Sequence, residues 1–168
     1  HSIHDYGLVS FFKVSPENFM AAMKEDFSEY TEDDIGYMYE SIKLPQRATK
    51  GSAGYDFYVV EDVEIPAYGT VMLPTNVKAY MQEDEVLMLY ARSSLAIKRG
   101  LILQNTTGII DSDFFPHEIK VALRNTTDKP VKLLKNERCA QGIFLKYLVS
   151  DNGNLDNTRD GGIGSTKK

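Results

Sequence analysis

In the octet EIKVALRN (118–125), apolar and polar side chains alternate, with small Ala122 the one apolar residue on the polar side. Ile119, Val121 and Leu123 face one way, and Glu118, Lys120 and Arg124 the other. That is the period of a half-buried β-strand, and no helix produces it. From about residue 55 onward the chain keeps this texture. DFYVV, TVMLPTNVKAYM, EVLMLYA and CAQGIFLKYLV all have strand character, and Gly, Pro, Asn and Asp separate them. Many short strands with close turns predict a compact antiparallel sandwich or barrel. At 168 residues, one domain is the simplest reading.

Ahead of the β region, LVSFFKV (8–14) predicts a first strand. SPENFMAAMKEDF (15–27) predicts a helix, with Ser15 as its cap, Pro16 at the first helical position, and Phe19, Met23 and Phe27 on one face. TEDDIGYMYESI (31–42) repeats the signal, with Thr31 as cap, acids in the first turn, and Ile35, Met38, Tyr39 and Ile42 as a stripe. After Val149 the chain turns polar and glycine-containing. The organisation expected is therefore a β domain over 1–149, carrying a two-helix insertion at about 15–42, and a tail over 150–168.

Several function classes are disfavoured at once. A net charge of −5 argues against a general nucleic-acid binder, which needs a broadly basic surface to displace counterions, though not against a local basic pocket. The lone Cys139 precludes an intrachain disulfide and lies in an apolar run, so it reads as a small core residue. Two of the three histidines fall within the first four residues, which leaves no basis for a histidine zinc site. No apolar run approaches membrane-spanning length and no signal-peptide pattern is present, so a cytoplasmic protein without a membrane partner is expected.

Four stretches depart from simple packing. SAGYDFY (52–58) sets Asp56 at a strand start, and ARSSLAIKRG (91–100) puts Arg92, Ser93 and Ser94 directly after an apolar strand. NTTGIIDSDFF (105–115) places Asp111 after Gly-Ile-Ile, and ERCAQ (137–141) holds Arg138 and Gln141 three apart. Singly, each is an ordinary turn or strand end. Together with Arg159 in the closing RDGGIGSTKK, they supply planar guanidinium groups suited to phosphate oxygens, hydroxyl donors, and glycines that let backbone N–H groups approach an anion. Asp111, beside apolar neighbours, has the character of a base for water. The inventory fits hydrolysis of a polyphosphate ester.

In order and spacing, AGYDFY, RSSLAIKRG, NTTGIIDSDFF, ERCAQGIF and RDGGIGST resemble the five motifs of the trimeric dUTP diphosphatases (dUTPases), from about residue 44 to the end. The resemblance implies a β-clip or jelly-roll fold, a homotrimer with active sites at subunit interfaces, and Mg²⁺ on the triphosphate. It also implies water attack on the α-phosphorus of dUTP, giving dUMP and pyrophosphate. By the same resemblance Asp111 is the base, and Arg92, Ser93, Ser94, Arg138 and Gln141 hold the phosphates or the water. Asp56 organises the metal through water. Asn105 and the backbone of Gly108 to Ile110 read the uracil edge, with Ile119 and Lys120 as candidates to complete that slot. Phe114 lies under the deoxyribose. Arg159, Ile163, Gly164, Ser165 and Thr166 belong to an arm that folds over the nucleotide, commonly at a neighbouring subunit's site.

Departures from the pattern are specific. Phe114 replaces the usual Tyr, Ile163 the usual arm aromatic, and Lys167 the usual terminal glycine. Phe115-Pro116-His117 adds one residue, which makes Phe115 a candidate second cover for the uracil. Residues 15–42 are expected to pack outside the trimer. The related dCTP deaminases need a glutamate three residues before an Asn, where this chain has Ala122. A regulatory protein that keeps the fold without catalysis, contacting a protein partner through the helical insertion, would be expected to lose Asp111, Arg92, Ser93 or Gln141. All are present, which argues against loss of activity though not against a second role.

Overall fold

The computed structural model describes residues 8–26, 29–152 and 159. It opens with β1 (Ser10–Lys13), α1 (Pro16–Asp26) and α2 (Glu32–Glu40). Local chemistry accounts for both helix starts. The Ser15 hydroxyl accepts from the Asn18 N–H at 3.1 Å. Thr31 and Asp34 form a reciprocal capping box: Asp34 N–H donates to Thr31 Oγ1, and Thr31 N–H donates to Asp34 Oδ2, each at 3.1 Å. That bonding holds the Asp34 carboxyl below its ordinary range. Phe19, Ile35 and Val14 form a small core of their own beside Met23, Met38, Tyr39 and Ile42, as the two apolar stripes predict. Phe27 lies outside the described residues.

Ten further strands follow: β2 (Tyr55–Tyr58), β3 (Val63–Ile65), β4 (Thr70–Pro74), β5 (Val77–Tyr80), β6 (Glu85–Tyr90), β7 (Leu101–Leu103), β8 (Gly108–Ile110), β9 (Lys120–Asn125), β10 (Val131–Leu133) and β11 (Arg138–Lys146). All pairings are antiparallel. A four-stranded sheet runs β2-β11-β6-β8 and a three-stranded one β4-β9-β7; β10-β3 and β1-β5 are two-stranded ribbons. This is the mainly β, jelly-roll-like architecture expected. β9 and the residue before it obey the predicted alternation, with Ile119, Val121 and Leu123 buried while Lys120 and Arg124 are exposed.

The three-residue strands β3, β7 and β10 fall outside the runs read as strands, being too short to show a period, and two further features differ from the sequence reading. TVMLPTNVKAYM is two strands, broken where Asn76 takes a left-handed φ of 61° and the Glu118 carboxylate collects the Thr75 and Asn76 N–H groups at 3.1 and 2.9 Å. ARSSLAIKRG, read only as a segment following a strand, forms a third helix, α3 (Ser93–Arg99). Gly100 ends it at φ 68°, and a Cβ there would stand 2.5 Å from Thr127 Cγ2.

Candidate active site

Asp56 sits on β2 opposite Gln141 of β11, which in turn lies opposite Tyr90 of β6. It is one of few buried polar residues, and guanidinium groups meet both its oxygens. Arg92 Nε lies 3.3 Å from Oδ1 and Arg138 Nη1 3.5 Å from Oδ2. The register of β11 against β2 shifts between Arg138 and Ala140, so Cys139 and Ala140 are both buried while Arg138 stays on the solvent side beside Asp56. Arg92 Nη1 donates to Ser94 Oγ at 3.2 Å, and Ser93 and Ser94 are exposed at the start of α3. Two cations share one carboxylate, so the cluster carries a surplus positive charge toward solvent. Lys43 Nζ lies 4.3 Å from the centre of the Tyr58 ring at its edge. Burial raises the proton affinity of that tyrosine's hydroxyl, Asp56 adds to the effect, and Arg138 and Arg92 oppose it.

Gln141 is fixed from two sides. Its Nε2 donates to the Ala91 carbonyl at 3.2 Å, and its side chain fills the space left by the missing Cβ of Gly54. A second glycine matters for backbone approach: a Cβ on Gly108 would meet Leu89 Cβ at 2.9 Å, so β8 lies unusually close to β6. Asn105 is exposed on the turn before β8, and Ile110 is half-buried at its end.

Asp111 follows β8 and begins a 3₁₀ turn, Ser112–Phe114, with Phe114 N–H donating to the Asp111 carbonyl at 3.1 Å. Its carboxylate is about half exposed rather than enclosed by apolar neighbours. It pairs with Arg159 of the same chain, whose Nε also contacts Asp113 Oδ1 at 2.9 Å. Sequence reasoning missed Asp113 as an arginine partner; its signal was a second acid two residues on. Ile163, Gly164, Ser165 and Thr166 lie outside the described residues.

The predicted residues thus fall into two clusters. β8 runs antiparallel to β6 with Gly108 opposite Leu89 and Ile110 opposite Leu87. Asp111 therefore lies beyond Leu87 toward the start of β6, while Arg92 follows its end. Four residues lie between Leu87 and Arg92, five steps of chain or about 16 Å at the rise of a β-strand. One chain does not bring Asp111 to Arg92, Ser93, Arg138 and Gln141. Between the clusters, Met88, Ile143 and Ile109 form a cross-strand row on the face opposite the buried Leu87 and Leu89, with Ile109 63% exposed.

Other expected roles are corrected. Phe114 belongs to the main core, so it offers no open ring face to a sugar. Phe115 does not cover a pocket: its ring packs on Tyr80 (5.7 Å) and Phe12 (6.2 Å), with Lys78 Nζ 5.4 Å from its centre. Lys120 is exposed on β9. Among the described residues no three His, Cys, Asp or Glu side chains gather to hold a metal, and Asp56 is already engaged by two arginines. The protein groups present therefore do not fit a protein-held Mg²⁺ site at Asp56. Among the described residues, no helix is long and apolar enough to cross a membrane.

Residues 40–167 match the family model for dUTPase. The deoxyuridine 5'-triphosphate nucleotidohydrolase of Lactococcus lactis is 40% identical over 137 residues, covering 77% of this chain and 91% of that protein. Its counterpart from Paramecium bursaria Chlorella virus 1 is 34% identical, covering 77% and 93%. The crystal structure of dUTPase from Streptococcus mutans superposes with a TM-score of 0.67 at 37% identity, over 85% of this chain and 99% of that one. A dUTPase from phage phi11 of S. aureus, at 15% identity and a TM-score of 0.66, shares the fold.

Proposed function

The chain belongs to the dUTPase family, and from that membership we propose that it hydrolyses dUTP to dUMP and pyrophosphate by attack of water on the α-phosphorus. Removing dUTP in this way would limit uracil in DNA and supply dUMP. Phosphoryl transfer asks little covalent chemistry of a protein; it asks for positioning and neutralisation of charge. Arg92 and Arg138, held by Asp56, supply fork-shaped cations for the phosphates, with Ser93, Ser94 and Gln141 as neutral partners. Asp111 accepts the proton of the attacking water. Asn105 and the backbone of β8 meet the uracil edge, with Lys120 flanking the slot. Mg²⁺ enters this reading as a companion of the triphosphate, whose oxygens and water are the ligands such a cation prefers.

The observation that carries this proposal is the separation of Asp111 from the arginine cluster. A base beyond Leu87 and a phosphate cradle past the other end of β6, about 16 Å along the strand from Leu87, do not meet on one phosphorus within one chain, whereas neighbouring copies of a homotrimer can pair them across a subunit interface. The outward row of Met88, Ile109 and Ile143, lying between the clusters, supports that assembly. The test is pyrophosphate release from each dNTP in turn, alongside light scattering. Release from dUTP alone by a trimer is expected. Release of ammonia from dCTP, or activity in a monomer, would overturn the proposal.

A further inference from the structure

The residues before position 40 lie outside the family match, yet β1 touches both segments that carry the proposed site's carboxylates. A strand sends neighbouring side chains to opposite faces. On one side, the Phe11 ring packs at 5.4 Å from Tyr55 and 5.6 Å from Phe57, the two residues that flank Asp56. On the other side, Phe12 packs against Phe115, which follows the turn that Asp111 begins.

The position of β1 is itself fixed. It pairs with β5 from Ser10↔Tyr80 to Lys13↔Val77, and the Val14 N–H donates to the Asn76 carbonyl at 2.9 Å. β5 also anchors the far end of the segment after the turn: Ile119 N–H donates to the Val77 carbonyl at 2.9 Å, and Glu118 holds the Thr75 and Asn76 N–H groups. Segment 115–119 is therefore tied down at its C-terminal end by backbone bonds. At its N-terminal end the Phe115 ring lies among Phe12, Tyr80 and Lys78. Of those three, Phe12 alone lies outside the family-matched residues.

We propose that β1 braces the active site, with Phe12 a positioning residue that holds the Asp111 turn through Phe115. The inference rests on Asp111 being the base of the proposed hydrolysis. Its consequence is that turnover depends on β1, a strand that contributes no group to the substrate. Loosening Phe115 would let the Asp111 carboxylate drift relative to the water it must orient. The arginine cluster, on other strands, would keep its grip on the phosphates.

The test uses the full chain with Phe12→Ala, and the milder Phe12→Leu should the first fail to fold. Expected is a 5- to 20-fold fall in kcat for dUTP. The dissociation constant of a non-hydrolysable dUTP analogue should stay within twofold, and Phe12→Tyr should recover most of the turnover. Hydrogen exchange supplies a readout free of any substrate. The amides of Phe114 and His117, bonded to the Asp111 and Phe114 carbonyls, should exchange at least tenfold faster while those of β9 stay protected. Unchanged exchange in a folded variant would overturn the brace, whatever the wild type hydrolyses. So would a loss of affinity in proportion to the loss of kcat. A wild type inactive on dUTP, with exchange altered as expected, would overturn the hydrolysis proposal and leave the brace standing.

Discussion

Gly54 has no side chain because Gln141 occupies the place one would take: a Cβ there would stand 2.5 Å from Gln141 Oε1. The glutamine amide is thereby pressed toward β6, where it donates to the Ala91 carbonyl one residue before Arg92. Three separate motifs meet in this contact.

Gly54→Ala is expected to displace that amide and lower kcat about 10- to 100-fold, the scale on which small misplacements act in pre-organised sites. In a Gln141→Ala background the same substitution should cost almost nothing further, since the group it displaces is gone. Steady-state kinetics of the double-mutant cycle, with melting curves to verify folding, checks this. Full additivity would show that Gly54 acts elsewhere.

Asp111→Asn should reduce turnover by on the order of 100-fold or more, as loss of a positioned base does. It should leave calorimetric binding of a non-hydrolysable dUTP analogue largely intact. Abolished binding would make Asp111 a structural or ligand-holding residue instead.

Asp56→Asn removes the counter-charge of two guanidinium groups that lie 3.3 and 3.5 Å away. Because Arg138 is half exposed and water screens it, the expected loss of stability is about 2 kcal/mol, below that of a fully buried pair. The distinctive sign is ligand-dependent. Inorganic tripolyphosphate should raise the melting temperature of the variant more than that of the wild type, because anionic oxygens replace the missing carboxylate. Equal shifts would argue that the arginines do not face the phosphates.

A charge in the outward row should dissolve the assembly. Ile109→Glu places a carboxylate on the face shared with Met88 and Ile143, where a packed subunit contact would have to desolvate it. Smaller particles in light scattering, with activity lost although both residue clusters are intact, are expected. An active trimer would put the interface on another face.

Cys139 should be inert. It is buried, and burial pushes its thiol up to about 12, so little thiolate exists at pH 8. Mass spectrometry after iodoacetamide treatment should find it unmodified in the folded protein and modified in denaturant.

Much of the fold was legible residue by residue. The alternation in β9, the Thr31–Asp34 capping box and the two helix stripes are properties of short segments, fixed by side-chain period and by hydrogen bonds within four residues. The five motifs were legible for a similar reason, since their residue types and order survive without any contact being known. α3 was overlooked because seven residues carry too little periodicity to outweigh a strand-rich setting. Its readable sign was the basic last turn, Lys98-Arg99, before Gly100.

What the sequence determined by itself, then, was the mainly β class, the longer strands and the family. The partners of individual groups were decided only by the tertiary structure. Phe115 faces β1 and β5 rather than a base because pairing across some seventy residues brings Phe12 and Tyr80 to the same ring. Asp56 serves two arginines because β2 pairs with β11 and the register shift before Ala140 leaves Arg138 on its side. Asp111 stands apart from Arg92 because β8 and β6 are paired as Gly108 to Leu89 and Ile110 to Leu87. Register is a contest among all the faces that could be buried at once, and no single stretch of chain contains its outcome.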